Sequence, residues 1–269
     1  MTMLESATQR VARLKNCQVA YMRAGSGPVL LFLHDGYGER RWEPFMAGLA
    51  ERYDVIVPDH PGFGRSEIPD WLDNIHDLAY FYLDFFAALD LRDVHLVGHA
   101  FGGWLACEIA VRDAAALATL TLVAPSGLRV PGLRKRDVFL MTREAIVAES
   151  FHDPAVASAI LAVPRSDDDV DVEIKNAAMY ARLAWQPRLY DPHLAKWLDR
   201  IGTPTMLLWG DDDRIIQPAY ADEFARLIPA SRVETIRDCG HMPQIETPAV
   251  FVRAITNFHQ SAAGAARPA

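Results

Sequence analysis

Three short stretches carry the side chains fit for proton and acyl transfer. Gly98-His99-Ala100-Phe101-Gly102-Gly103 follows the apolar run 94–97 and leads into a helical pattern. That is the strand–turn–helix setting of a Gly-x-Ser-x-Gly nucleophile elbow, with alanine where serine stands. Such a turn lifts its central residue above the sheet, and the glycines two before and two after leave room for neighbouring backbone. The helix that follows turns its N-terminal amides on the site, where they favour developing negative charge. Downstream, Trp209-Gly210-Asp211-Asp212-Asp213-Arg214 closes one apolar run and Asp238-Cys239-Gly240-His241-Met242-Pro243 closes another. Carboxylates and imidazoles are the groups that move protons near neutral pH. Alone, Gly-x-Ala-x-Gly also fits an ordinary βα turn; the acid and the histidine downstream give it weight.

Something must hold these stretches at one edge. Short apolar runs at 18–23, 28–33, 55–57, 94–97, 117–123, 204–209 and 233–236 predict strands. Helical patterns at 42–52, 73–91, 104–112, 220–227 and 248–258 alternate with them. Repeated β-then-α units imply a mostly parallel, doubly wound sheet with helices on both faces. The rhythm breaks from 126 to 201, where helices are predicted at 137–151, 154–163, 172–185 and 191–200, separated by acidic and proline breaks such as Asp167-Asp168-Asp169. A helical insert between two parallel strands predicts a cap over the carboxyl edge of the sheet, where open α/β sheets bind ligands. The expected organisation is a core of 1–125 and 202–269 with a helical cap at 126–201. Residues 1–13 carry no secretory apolar core, and the tail 261–269 is expected to fray.

Five ordered pieces, L-H-D-G-Y-G, P-D-H-P-G-F-G-R-S, G-H-A-F-G-G, W-G-D-D-D-R-I-I-Q-P and C-G-H-M-P, make the chain resemble the α/β-hydrolase superfamily over nearly its whole length. The order nucleophile, acid, histidine is that family's. The resemblance implies that His241 is the general base and that Asp213 orients it, the spacing Gly-x-x-Asp from Gly210 selecting Asp213 over Asp211 and Asp212. It implies an oxyanion hole from the amides of Gly36 and Phe101. It makes His34 and the Gly62-Phe63-Gly64-Arg65 turn supports, and His60 and His99 structural. Asp35 departs from the family pattern, since glycine is common there and a carboxylate suits an anion site only if turned away or paired.

Alanine has no atom that attacks a carbonyl, so serine-type covalent catalysis is closed to residue 100 as it stands. Two readings follow: a serine hydrolase whose serine has been replaced, which the intact surroundings favour, or a natural binder without turnover. Direct activation of water by His241 is a residual route. The resemblance implies hydrolysis of a carboxylic ester or lactone through an acyl-enzyme. The alternatives are C–C bond cleavage of the meta-cleavage type, whose enzymes carry asparagine where this chain has His99, a cofactor-free oxygenase, and a non-catalytic ligand binder.

Tyr37, Phe139, Met179, Arg182, Trp185 and Met242 are the candidates to meet substrate, whose apolar or aromatic portion the cap's own apolar bias suggests. Arg182 has two readings, a partner for a substrate carboxylate or half of a surface salt bridge. No metal site and no cofactor are expected. The net charge of −8 excludes a nucleic-acid footprint, and no apolar run reaches the length of a membrane span. Three scattered cysteines, Cys17, Cys107 and Cys239, make neither a disulfide framework nor a metal site. The expectation is a cytoplasmic monomer or homodimer acting on a small molecule.

Overall fold

A computed structural model describes residues 7–39 and 41–265. Eight strands form one sheet in the order β1-β2-β4-β3-β5-β6-β7-β8. The strands are β1 Thr8–Leu14, β2 Cys17–Ala24, β3 Val29–Leu33, β4 Asp54–Pro58, β5 Val94–His99, β6 Leu117–Val123, β7 Thr205–Gly210 and β8 Ser231–Ile236. From β4 to β8 every neighbouring pair is parallel, while β2 joins β1 and β4 antiparallel. The central strands are buried on both faces and are near-continuous Val, Leu, Ile and Phe, as a sheet covered on both sides requires.

The helices are α1 Pro44–Ala50, α2 Ile75–Ala88, α3 Phe101–Arg112, α4 Arg143–Ser150, α5 Pro154–Ala162, α6 Asp167–Ala184, α7 Tyr220–Leu227, α8 Pro243–Glu246 and α9 Pro248–Ala265. One core lies on the α2, α3 and α7 side, around Phe81, Tyr82, Phe85, Phe101 and Trp104. The other, around Phe32, Phe45, Phe251 and Phe258, lies under α1 and α9.

Several expectations need correction. β1 was not anticipated: it shows almost no apolar face, and β2 recruits it through the tight turn at Lys15 and Asn16, both at positive φ. Asp167-Asp168-Asp169 is not a break but the first turn of α6, where negative charge suits the helix dipole and Ser166 caps Asp169. The helix expected at 137–151 is a 3₁₀ turn, Val138–Leu140, followed by α4. At 191–200 there are two 3₁₀ turns, Leu194–Lys196 and Leu198–Arg200, which bury Leu194 and Leu198. α9 continues through the expected fray at 261–265, while 266–269 lie outside the described residues. Among the described residues, 126–201 contributes no strand to the sheet.

Candidate active site

The elbow is built by close approach of backbone. Ala100 sits between β5 and α3 at φ 48°, ψ −105°, a conformation that L residues hold only when their surroundings impose it. Its N–H donates to Val123 O at 2.9 Å, and its carbonyl accepts from Trp104 N and Ser126 N, each at 3.0 Å. A methyl group on Gly98 would overlap Gly102 O, and one on Gly102 would overlap Leu33 O. Gly102→Ala is therefore expected to cost about 1–3 kcal/mol or more through overpacking against backbone that has no freedom to retreat. A melting temperature equal to that of the parent chain would contradict this.

His241 and Asp213 meet at the ends of neighbouring strands β7 and β8. His241 Nδ1 lies 2.7 Å from Asp213 Oδ2, and both groups are buried. Asp213 Oδ1 accepts from the backbone of Ile215 and Ile216 at 2.9 and 2.8 Å, so the carboxylate is fixed on both oxygens. Asp212 is turned to the surface, paired with Arg214 and with His152 Nδ1. Asp211 accepts from Cys239 N at 3.4 Å. The strand ends come this close because Gly210 packs on the backbone of Cys239 and Gly240.

His241 is anchored from three sides. Its N–H donates to Ser150 O at 2.8 Å, at the end of α4. Glu246 of α8 accepts from Gly240 N at 2.6 Å. His241 O accepts from His99 Nε2 at 2.9 Å, and the two rings are 4.9 Å apart. Since a carbonyl only accepts, His99 carries its proton on Nε2, and Gln244 Nε2 donates to its free Nδ1 at 3.1 Å. Burial and the neighbouring His241 push the His99 pKa down to about 4. The Asp35 carboxylate 3.9 Å away pulls the other way.

Because His99 titrates near 4 in the fold and near 6.5 when unfolded, the unfolded chain holds a proton between those values that the folded chain excludes. Its contribution is therefore complete above pH 6.5 and is lost as pH falls toward 4, with a slope of about 1.4 kcal/mol per pH unit. Burial lowers His34, His60, His95 and His259 as well, so their contributions have the same sign. Thermal melts across that window should show falling Tm, and His99→Asn should flatten the curve. A Tm that stays level down to about pH 4 would refute the assignment.

The other loop of the site is braced by two neutral histidines. His60 Nε2 donates to His34 O at 3.1 Å and the rings lie 3.8 Å apart. Asp35 does not stand unpaired: its Oδ1 accepts from Tyr37 N at 2.8 Å, closing a local turn beside Gly36. α6 rests on this loop. Asn176 donates to Tyr37 O at 2.6 Å and accepts from Gly64 N at 2.8 Å, joining the 34–38 and 62–66 turns. The Tyr180 ring occupies the space that a side chain on Gly36 would need, and it lies 5.2 Å from the Phe101 ring.

The expected substrate residues are distributed unevenly. Tyr37 and Phe139 flank Tyr180, at 5.8 and 4.9 Å between rings. Met179 packs on Gly62. Met242 follows His241 and is half-buried. Trp185 is exposed, with Arg188 stacked over it at 3.8 Å. Arg182 belongs to the surface: it pairs with Asp73 at 2.9 Å, so the carboxylate-recognition reading is corrected. Sequence reasoning places Tyr180 among the cap's apolar residues without giving it a role, and misses Asn176, Gln244 and Ser150. Asn176, Met179, Tyr180 and Leu183 form the buried face of α6 at helical spacing, which was the available signal.

Away from this site, His76, Glu108 and Asp191 bring possible ligand atoms within 4.8 Å of one another. Arg112 already fills the cation's place, donating to Glu108 Oε2 and to His76 Nδ1, each at 2.6 Å.

The alpha/beta hydrolase fold family model matches residues 28–248, and the chain belongs to that family. It is 28% identical, over 94% of this chain and 92% of the other, to a 2-hydroxy-6-oxo-6-(2'-aminophenyl)hexa-2,4-dienoic acid hydrolase of Metapseudomonas resinovorans. It is 25% identical to a monoacylglycerol lipase of Bos taurus, covering 93% of this chain and 81% of that one. A crystal structure of a bacterial membrane phospholipase A superposes with a TM-score of 0.80 at 25% identity, covering 96% of this chain and 87% of that one. Among the described residues, no helix is long and apolar enough to cross a membrane.

Proposed function

We propose that the site is that of a serine-type hydrolase of carboxylic esters or lactones with an apolar or aromatic portion, here carrying alanine in place of the nucleophile. The observation behind this reading is the buried Asp213–His241 pair, 2.7 Å long and anchored by His99, the residue just before Ala100. A carboxylate fixed on Nδ1 leaves Nε2 as the working nitrogen, the arrangement that serves a hydroxyl. With serine at 100, His241 takes the hydroxyl proton as the oxygen attacks the acyl carbon. The amides of Gly36 and Phe101 hold the resulting oxyanion, and His241 returns the proton to the departing alcohol. Water then releases the acid by the same steps. As it stands, the chain binds its substrate and forms no acyl-enzyme.

Residues 126–201 act as a cap: α4 holds His241 through Ser150, and α6 lays Tyr180 over Gly36 and Phe101. The aromatic set Tyr37, Phe139 and Tyr180 supplies the apolar wall for the acyl or alcohol group. A second reading, cleavage of a C–C bond beside a carbonyl, is favoured by the match to the hexadienoic acid hydrolase. The serine-restored variant decides between them: kcat/KM for aryl and alkyl esters is expected to exceed that for a vinylogous 1,5-diketone acid. The reverse order would replace the ester reading with the C–C reading.

A further inference from the structure

α6 carries two apolar faces, and only one of them is used. The inner face, Asn176, Met179, Tyr180, Leu183 and Ala184, is buried, with Asn176, Met179 and Tyr180 against the site loops. The outer face repeats the pattern half a turn away. Val170 is 37% exposed, Ile174 62% and Trp185 45%, with Ala177 and Ala178 exposed between them and Ala181 half-exposed. These positions recur at the 3- and 4-residue steps of one helical stripe. An apolar stripe of this kind on a surface helix marks a contact surface.

We propose that this stripe is the dimer interface of the protein, α6 of one chain lying antiparallel on α6 of a second copy about a two-fold axis between Ala177 and Ala178. The stripe is its own complement in that arrangement. At the rise of one helical residue, Val170 lies level with the partner's Trp185, and Ile174 lies level with the partner's Ala181. The two alanines at the centre let the backbones approach, while the large residues fill the ends. Such self-complementarity is what an isologous interface demands.

Charge selects the antiparallel sense. α6 begins acidic, with Asp167 and Asp171, and ends basic, with Arg182. The antiparallel pair sets Asp171 beside the partner's Arg182, whose pair with Asp73 in its own chain is exposed. A parallel pair would set acid on acid and base on base. The same acidic turn opposes docking on an anionic lipid surface. Since the inner face of α6 carries Tyr180 over the elbow, the pairing would also steady the helix that covers the site.

The experiment uses the full chain. Multi-angle light scattering at micromolar concentration is expected to give twice the 30.0 kDa of one chain. Ile174→Glu and Ala178→Glu should each give monomers with unchanged circular dichroism. Asp171→Arg and Arg182→Asp should each weaken the dimer by tenfold or more, and the double exchange should restore it. Under mild oxidation Ala178→Cys should cross-link to its own copy, the native cysteines being buried. Val170→Cys should not, since its copies stand about 22 Å apart along the pair, but should cross-link with Trp185→Cys. A monomer throughout overturns the proposal, as does a dimer indifferent to Ile174→Glu and Ala178→Glu. Binding of the monomer to zwitterionic phosphatidylcholine vesicles, lost in Ile174→Glu, would assign the stripe to a lipid surface instead.

Discussion

Ala100→Ser is expected to convert this chain into an enzyme. The new hydroxyl would stand on a Cβ already held at the elbow's φ of 48°, so the backbone need not change. The base is fixed by Asp213 at 2.7 Å and by its own amide on Ser150, and α3 already presents its first amide at Phe101. Removing the nucleophile from a complete serine hydrolase lowers kcat by roughly 10⁶-fold, so the gain on restoring it should be on that order. Two readouts check it: covalent labelling by a fluorophosphonate probe, visible as a mass shift, and release of nitrophenol from short-chain aryl esters. The parent chain should give neither at a comparable rate. A folded serine variant that stays unlabelled and turns over no ester or C–C substrate would refute the hydrolase reading and move the oxygenase and binding readings ahead of it.

The parts of the fold that were legible in the sequence are those whose local signal agrees with their tertiary setting. β3, β5, β6 and β7 are runs of apolar residues buried on both faces, and they could be read directly. The edge strand β1 could not: its residues face water, and its strandness comes from pairing with β2. The first turn of α6 at Asp167-Asp168-Asp169 departs from the break its sequence predicts for a related reason. The polarity of a charge run suggests a loop, while its place at a capped helix N-terminus decides its structure. The two 3₁₀ turns near Trp197 bury leucines at a spacing close to that of an α-helix, which period alone does not separate.

The site divides along the same line. Ala100, Asp213, His241, Gly36 and Phe101 lie in short ordered motifs, and the family resemblance those motifs carry is what points to them. The residues that hold those motifs in place act across long separations: Ser150 on His241, Asn176 on Tyr37 and Gly64, Gln244 on His99. Helical spacing places Asn176 on the buried face of α6, but nothing local says which distant backbone groups it, Ser150 or Gln244 will hold. Arg182 shows the opposite error, in which a charge near an aromatic residue drew a functional reading although its partner, Asp73, is 109 residues away in the chain.

The choice among three adjacent aspartates yields the second large effect. In the serine-restored background, Asp213→Asn is expected to lower kcat by about 10⁴-fold. The amide would still accept from the Ile215 and Ile216 N–H groups through its oxygen. Its NH₂ would then face His241 Nδ1 and donate to it, moving the ring proton to Nε2, where the serine hydroxyl needs an acceptor. The fold should survive, because shape and burial are kept. Asp212→Asn removes a charge from a surface cluster with Arg214 and His152, and should change kcat by less than about threefold, in keeping with the small worth of exposed ion pairs. Single-turnover acylation of both variants, with their pH profiles, separates the effects. Asp213→Asn should regain part of its rate at high pH, where hydroxide replaces the missing base, while Asp212→Asn should follow the parent profile. If Asp212→Asn were the crippled variant and Asp213→Asn the silent one, the orientation of His241 would be carried by the wrong carboxylate here, and the proposed site would have to be rebuilt around the 212–152 pair.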